Sequence, residues 1–118
     1  HPKPVMGDWN GSGCHINFST KMTRGKGGKS YFEAICERLE DQHDTHMKVY
    51  GLYNDQRLTG KHETQDIRKF SYGVSDRGAS IRIPENVGKT WKGYLEDRRP
   101  SSNVDPYLAT AAIVNTLQ

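Results

Sequence analysis

The sequence predicts an α+β fold, because it contains segments with helical periodicity and segments with strand periodicity. Apolar residues recur at intervals of three and four over positions 30–49, as in an amphipathic helix that ends before Gly51. Residues 78–84, GASIRIP, and residues 93–100, GYLEDRRP, have the alternation of strands. The Asp105-Pro106 pair and the mostly apolar run after it predict a final helix.

Composition is typical of one soluble domain. The 118 residues are 33% hydrophobic and 26% charged, and the net charge of +3 suits anionic small molecules as well as nucleic acid. No apolar run is long enough for a membrane span, and Cys14 and Cys36 do not make a disulfide framework. We therefore expect a reduced, cytoplasmic protein with no membrane partner.

The predicted helix over 30–49 carries one candidate metal site. Ser30 and Glu33 have the spacing of a capping box, which would begin the helix. His43 and His46 would share a face and could bind a metal together. Because two histidines alone are a weak signal for a metal site, we favour packing inside the domain.

Three segments between these elements are assigned to loops. Residues 21–29, KMTRGKGGK, are typical of a mobile basic loop and less often of a loop that contacts phosphate. Residues 51–70 keep no period for long, and another loop follows Pro84.

A first strand is predicted at residues 16–18, after the glycine-rich stretch GDWNGSGCHINFST. This stretch could be a plain hairpin. Alternatively, Gly11 and Gly13 would let a ligand approach the backbone, while polar groups come from Asn10, His15, Asn17 and Ser19.

Alternation in GYLEDRRP places two sets of side chains on opposite faces, Tyr94, Glu96 and Arg98 against Leu95, Asp97 and Arg99. Glu96 and Arg98 could neutralise each other at the surface. Alternatively, Glu96 could hold Mg²⁺ or Mn²⁺ beside an anion held by Arg98, with His15 favouring Mn²⁺ slightly. We expect the first set to face the same cavity as His15.

Several arginines fall at loop ends or on strand faces: Arg57, Arg77, Arg82, Arg98 and Arg99. This placement fits a site that neutralises a transferring phosphoryl group. Because Arg77 and Arg82 differ in parity, both could reach one phosphate only if the chain turns or bulges near Gly78.

Four motifs in this order resemble the C-terminal part of the catalytic domain of eukaryotic-type glutamine synthetase: DWNGSGCHINFST, RLTGKHET, FSYGVSDRGASIRIP and KGYLEDRRPSSNVDP. The motifs span nearly the whole chain. The resemblance implies a curved, largely antiparallel sheet that forms part of an open barrel, with helices packed outside. It also implies that residues 1–118 are a single partial catalytic domain, without the family's N-terminal domain and upstream catalytic strands.

The resemblance implies an ATP-dependent ligase that joins ammonia to glutamate through a γ-glutamyl phosphate. Its cofactor would be Mg²⁺ or Mn²⁺, and its partners would be glutamate, ammonium and ATP, with no nucleic acid. The full-length form would be a homo-oligomer of stacked rings.

The resemblance also implies a role for each matching residue. His15 and Glu96 would bind the metal ion, and Glu63, in a mobile flap, would deprotonate ammonium and cover the acyl phosphate. The catalytic residues would be Glu63, Arg77 and Arg98. The glutamate site would comprise Asp8, Trp9, Asn10, Gly11, Arg57, Arg77 and Arg98. The ATP site would comprise Asn17, Phe18, Ser19, Arg77, Arg82, Tyr94, Leu95 and Glu96.

Two other functions stay open. A non-catalytic module could keep the fold and bind nucleotide or a protein partner, and the coding sequence upstream of His1 would distinguish it from an enzyme fragment. An RNA-binding domain built on residues 21–29 is disfavoured, because aromatic residues are not interleaved with the basic ones. We expect the 118-residue chain alone to be inactive, since His15 and Glu96 leave a divalent ion short of ligands.

Overall fold

A computed structural model describes residue 3 and residues 11–118 of the chain. The strands are β1 (Ile16–Phe18), β2 (Tyr72–Val74), β3 (Ile81–Ile83) and β4 (Leu95–Asp97). The helices are α1 (Gly28–Asp41), α2 (His43–Met47), α3 (Glu85–Thr90) and α4 (Pro106–Leu117), with a 3-10 turn at Asn54–Gln56. The predicted α+β class is confirmed.

The four strands form one mixed sheet in the order β1-β4-β3-β2. Strand β4 is antiparallel to both of its neighbours, β1 and β3, whereas β2 runs parallel to β3. The connection between the parallel strands is only residues 75–80, and the chain turns there with Ser75 at φ 58°. Two of the three pairs therefore agree with a largely antiparallel sheet.

Helix α1 covers one face of the sheet. Its buried residues recur at helical spacing, and they are Phe32, Ile35, Cys36 and Leu39. They pack in one cluster with buried residues of β3, α3 and β4, which are Ile81, Ile83, Val87 and Leu95. A second cluster joins Tyr50 to Ala109 and Ile113 of α4. The core therefore lies on the helix side of the sheet and leaves the opposite face for the site.

The predicted helix over 30–49 is two helices rather than one. The chain leaves helical geometry at Gln42, where φ is −102° and ψ is 10°. Helix α1 also begins at Gly28, and no side chain caps it, so the capping box at Ser30 and Glu33 is wrong. Ser30 is the third residue of the helix and not the residue before it, which is the position where a capping side chain acts.

Other element boundaries also differ from the prediction. The loop expected after Pro84 is instead α3, and the strands at 78–84 and 93–100 are shorter than expected. In the basic segment 21–29, Thr23 is buried and closes a turn by reciprocal hydrogen bonds with Thr20. The final helix is confirmed, since the Asp105 side chain caps α4. No helix in the described part of the chain is long and apolar enough to cross a membrane.

Candidate functional site

The two faces of β4 have different environments, as alternation predicted. Glu96 and Arg98 are partly exposed on the outer face, while Leu95, Asp97 and Arg99 are buried on the other. The side chain of Leu95, predicted at the nucleotide, is part of the hydrophobic core. Only the backbone of Leu95 can therefore approach a ligand on the outer face.

The carboxylate of Glu96 is the centre of the outer face. Its Oε1 lies 3.3 Å from His15 Nδ1 and accepts a hydrogen bond of 2.6 Å from Arg98 Nη1. Its Oε2 lies 3.5 Å from Nη1 of Arg82, the residue opposite Glu96 in the sheet. His15, Glu96 and Arg98 therefore lie on one side of the sheet, as predicted. The prediction of one shared cavity is confirmed for His15 and Arg98, whereas Tyr94 and Glu96 are not among the residues that line that cavity.

The ion pair between Glu96 and Arg98 that alternation allowed is present, but it is largely shielded from solvent. Their side chains are 13% and 10% exposed. The Nε atoms of Arg82 and Arg98 are buried and have no hydrogen-bond partner among the described residues. The outer face thus keeps donor capacity that a purely structural ion pair would use.

The surroundings of His15 favour its neutral form. Burial and the charge of Arg98 lower its pKa below the ordinary value of 6.5, and the carboxylate of Glu96 only partly opposes them. A neutral imidazole nitrogen is the form that binds metals.

His15 and Glu96 fit a divalent cation as two of its ligands. Ligands of an octahedral ion at about 2.1 Å lie about 3 Å apart, close to the separation of 3.3 Å between Nδ1 and Oε1. No group of three or more His, Cys, Asp or Glu side chains that could hold a metal occurs in the described ranges. These residues therefore supply an incomplete coordination sphere.

An open cleft of about 180 Å³ lies beside this cluster. It is lined by Gly11, Gly13, His15, Arg57, His62, Glu63, Thr64 and Arg98. Several predicted site residues from distant parts of the chain, Gly11, His15, Arg57, Glu63 and Arg98, therefore meet in one place.

Glu63 lies in an exposed loop over this cleft, residues 59–66, which we call the Glu63 loop. His62 and Glu63 have φ of 55° and 60°, a left-handed conformation that costs energy in residues other than glycine. The carbonyl oxygen of Glu63 accepts a hydrogen bond of 3.3 Å from Arg98 Nη2. The loop is thus tied to the arginine that also binds Glu96.

Arg57 is buried and performs a structural task that the sequence did not indicate. Its Nη2 donates to the carbonyl oxygens of Arg98, Arg99 and Pro100 at 3.1, 2.8 and 3.0 Å. Burial, together with the charge of Arg98, lowers its pKa to about 10. Nη1 faces Gly13, where a Cβ atom would lie only 2.8 Å away. Arg57 therefore fixes the chain after β4 and presents one nitrogen to the cleft.

The remaining predicted residues have varied surroundings. Arg77 is exposed in the turn between β2 and β3, where the N–H of Gly78 donates a hydrogen bond to Asp76 Oδ1. Asn17 is exposed opposite Glu96 in the sheet. Phe18 packs against the core, Ser19 accepts a hydrogen bond from Arg24, and Tyr94 is exposed. Asp8, Trp9 and Asn10 lie outside the described residues.

The prediction that all five arginines fit a phosphoryl-transfer site is wrong for Arg99, which is buried in the core. It is 1% exposed, and its guanidinium donates to both carboxylate oxygens of Asp97. It also donates to Nδ1 of His43 and of His46. The two histidines are therefore buried packing residues, as favoured above. The parity of β4 was the one signal in the sequence that separated Arg99 from Arg98.

The chain is similar to known proteins of one family. A family model described as glutamine synthetase, catalytic domain, matches residues 56–117. Glutamine synthetases of Kluyveromyces lactis and Schizosaccharomyces pombe are 56% identical to the chain over 117 residues, which are 99% of the chain and 32% and 33% of those proteins. The glutamine synthetase of Hebeloma cylindrosporum is 58% identical over 116 residues, 98% of the chain and 33% of that protein. The chain spans about a third of the length of these curated relatives.

Proposed function

The chain belongs to the family of glutamine synthetase catalytic domains, and from this premise we propose that it acts within a longer enzyme that makes glutamine. In that reaction ATP phosphorylates the γ-carboxylate of glutamate, and ammonia then displaces the phosphate. The observation that carries the proposal is that His15 and Arg98, both in contact with Glu96, line one cleft together with Glu63.

His15 and Glu96 would hold one divalent cation, Mg²⁺ or Mn²⁺, together with carboxylates from the rest of the longer protein. The ion would neutralise charge on the phosphate oxygens. Arg82 and Arg77 would add positive charge from β3 and from the turn before it. Arg82 is already drawn toward Glu96, and exposed Arg77 can reach a ligand on the outer face.

Glutamate would bind in the cleft. Arg98 would hold one of its carboxylates, and Nη1 of Arg57 can reach a second oxygen while Nη2 keeps its carbonyl partners. Gly11 would let the substrate approach the backbone. The adjoining Asp8, Trp9 and Asn10 would complete this site.

The nucleotide would lie along the outer face beyond Glu96. Asn17 and Tyr94 are exposed there, and Tyr94 offers a ring for the adenine. Ser19 would contribute its hydroxyl, whereas Phe18 and Leu95 would act through their backbones, because their side chains pack toward the core.

Glu63 would act in the second step. Its exposed carboxylate attracts ammonium and takes a proton from it. The nitrogen then bonds to the γ-carbon while the bond from that carbon to the phosphate oxygen breaks. A loop closed over the cleft keeps water from the acyl phosphate.

The finer architecture belongs to the same proposal. We place residues 1–118 in one partial domain, whose curved sheet forms part of an open barrel completed by strands of the longer enzyme. That enzyme would be a cytoplasmic homo-oligomer of stacked rings.

The proposal is tested with Glu63→Ala in the longer enzyme. We expect glutamine formation to slow by about 100-fold or more, as is usual on loss of a general base, with ATP affinity little changed. Glu85→Ala is the matched control, since Glu85 is exposed on α3 and, among the described residues, its one ion pair is with Lys89 at 3.9 Å. Unchanged turnover in Glu63→Ala would contradict the role of the loop. A longer wild-type protein that binds ATP but forms no glutamine would instead support a non-catalytic module.

A second test uses the 118-residue chain alone with glutamate, ammonium, ATP and excess Mg²⁺ or Mn²⁺. We expect little or no phosphate release or glutamine, because two protein ligands hold a divalent ion weakly. Turnover near that of the longer enzyme would show that the other carboxylates are dispensable.

A further inference from the structure

We propose that His43 is a positioning residue for the Glu63 loop, an inference that rests on the function proposed above. His43 lies on α2, on the core side of the sheet, and is 7% exposed. It cannot touch a substrate in the cleft on the outer face. It would act through two hydrogen bonds, one with Arg99, which is bonded to strand β4, and one with Ile67, at the end of the Glu63 loop.

The first hydrogen bond fixes the tautomer of His43. Arg99 Nη1 lies 3.0 Å from His43 Nδ1, and a guanidinium can only donate. Nδ1 is therefore the acceptor, and Nε2 carries the proton. That Nε2 lies 2.8 Å from the carbonyl oxygen of Ile67, to which it donates.

Ile67 closes the base of the Glu63 loop. Its N–H donates to the carbonyl oxygen of Leu58 at 3.0 Å, so the two ends of the loop are bonded to each other. Ile67 therefore bonds to Leu58 through its N–H group and to His43 through its carbonyl oxygen. The ring of Phe70 packs edge-on against His43 at 5.6 Å and restricts the imidazole further. The base of the loop is thus held to a rigid buried group.

Arg99 connects His43 to strand β4. Its guanidinium lies 5.1 Å from the ring of Tyr50 and 5.3 Å from that of Phe70. The Nε atom of Arg99 donates a hydrogen bond to the carboxylate of Asp97. Asp97 directly follows Glu96 in β4. His43 therefore joins the strand of the proposed metal and substrate ligands to the loop of the proposed base.

His46 provides an internal control for this arrangement. Its Nδ1 also accepts from Arg99, at 3.0 Å, and it is as deeply buried as His43. Its Nε2, however, donates to the hydroxyl of Thr116 on α4, at 2.8 Å, and not to the loop. The two histidines share one partner and differ in the other.

The proposal predicts a specific defect when the base of the loop is released. Water would reach the γ-glutamyl phosphate, and its oxygen would bond to the γ-carbon while the bond from that carbon to the phosphate oxygen breaks. The protons of the water would pass to the released phosphate and to solvent. The products are glutamate and phosphate, so ATP is consumed without glutamine. A loss of folded protein alone lowers both products equally and leaves their ratio at one.

Three variants of the longer enzyme separate the two hydrogen bonds. In His43→Asn, the amide oxygen replaces Nδ1 as acceptor for Arg99, but the side chain is too short to reach Ile67. In His43→Gln, the amide nitrogen replaces Nε2 as donor to Ile67, and the acceptor for Arg99 is lost. His46→Asn keeps the acceptor for Arg99 and loses the hydrogen bond to Thr116 and the stacking on Tyr50, neither of which belongs to the Glu63 loop.

We expect His43→Asn to raise the ratio of phosphate released to glutamine formed above one and to lower kcat for glutamine about tenfold, within the range for a misplaced catalytic group. His43→Gln and His46→Asn should keep the ratio at one. Backbone amides of residues 58–67 should exchange hydrogen faster in His43→Asn than in His46→Asn.

Equal ratios and equal exchange in His43→Asn and His46→Asn would overturn the proposal. A wild-type enzyme that forms no glutamine would instead overturn the proposed function. In that case the exchange of residues 58–67 would still decide whether His43 holds the loop.

Discussion

The two faces of β4 carry the same pair of residue types and use them differently. On the buried face, Asp97 is followed two positions later by Arg99, and on the outer face Glu96 is followed by Arg98. The oxygens of Asp97 accept hydrogen bonds from Arg99 and from the hydroxyl of Tyr50, at 2.8 Å. On the outer face one carboxylate serves His15, Arg82 and Arg98, and two arginine Nε atoms keep no partner among the described residues.

The same residue types therefore serve different purposes on the two faces. A structural charge has all of its hydrogen-bond and ion-pair partners within the protein, whereas a functional charge leaves some of this capacity unused. The buried pair lies in a low dielectric, where an unpaired charge is costly, so its partners are complete. The outer cluster has more cations than its single carboxylate can serve, and it therefore retains attraction for an anion or for further carboxylates.

The largest expected effect comes from breaking the buried pair. Asp97→Asn leaves the charge of Arg99 buried without a counter-ion, and we expect a loss of about 3 to 5 kcal/mol in the free energy of unfolding. Glu96→Gln, the matched change on the outer face, should cost less, because its carboxylate is partly exposed beside an open cleft and not fully buried. Urea unfolding of the 118-residue chain, followed by circular dichroism, measures both. Equal losses in the two variants would remove the distinction between the faces.

The second largest effect should be a loss of folding stability in acid, caused by His46 on the buried face. Burial, together with the charge of Arg99, lowers the pKa of His46 to about 4 from 6.5. Between these values the unfolded chain binds a proton that the folded chain does not, so stability falls as the pH falls from 6.5 to 4. The loss due to His46 is about 3 kcal/mol at most.

Urea unfolding at pH 7 and at pH 4.5 tests this expectation in the wild-type chain and in His46→Asn. The variant should be less stable at pH 7 but should lose less stability on acidification. A parallel loss in both proteins would assign the acid sensitivity to other groups, among them His15, whose pKa is also lowered.

The outer face should respond in activity rather than in stability. Glu96→Gln removes the negative charge that would hold the cation, and we expect a fall of about 100-fold or more in Mn²⁺ affinity, at least the loss seen when an outer-shell partner of a metal site is removed. Mn²⁺ binding to the longer enzyme can be measured by electron paramagnetic resonance. Glu85→Gln on α3 is the control for a surface carboxylate. Unaltered Mn²⁺ affinity would show that Glu96 is an ion-pair residue only.

The elements that the sequence predicted well are those whose pattern repeats. The apolar stripe of α1, the alternation in β4 and the Asp-Pro start of α4 each follow from local geometry. The missed elements are short and depend on tertiary contacts. Helix α3 contains Gly88, where a Cβ would lie 2.6 Å from Val74 of β2, so this glycine fits the packing of two elements that have no periodicity of their own.

The site was predictable in its types of residue but not in its connections. Parity places Glu96 beside Arg98, and their residue types suggested a metal site shared with His15. No local rule links any of these residues to Glu63, which only the resemblance brought to the site. The burial of Arg99 was hidden for the same reason, because His43, His46 and Phe70 reach it from distant parts of the chain. Long-range contacts decide which arginine is structural.

The smallest effect is expected at Arg57, which lies between the buried face of β4 and the cleft on the outer face. Arg57 belongs to both, since its Nη2 holds carbonyls after β4 while its Nη1 faces the cleft at Gly13. A methyl group in Gly13→Ala would lie 2.8 Å from Nη1 and 3.2 Å from His15 Nε2, too close for either to stay in place. Because Nη2 is held by three carbonyls, Arg57 can yield only by weakening those bonds.

We expect Gly13→Ala in the longer enzyme to raise the KM for glutamate about tenfold, the cost of displacing one charged hydrogen bond. The KM for ATP should change little. Ser12→Ala adds no atom to the cleft and should behave as wild type. If Gly13→Ala left the KM for glutamate unchanged, Nη1 of Arg57 would have no part in the cleft, and Arg57 would belong to the buried region alone.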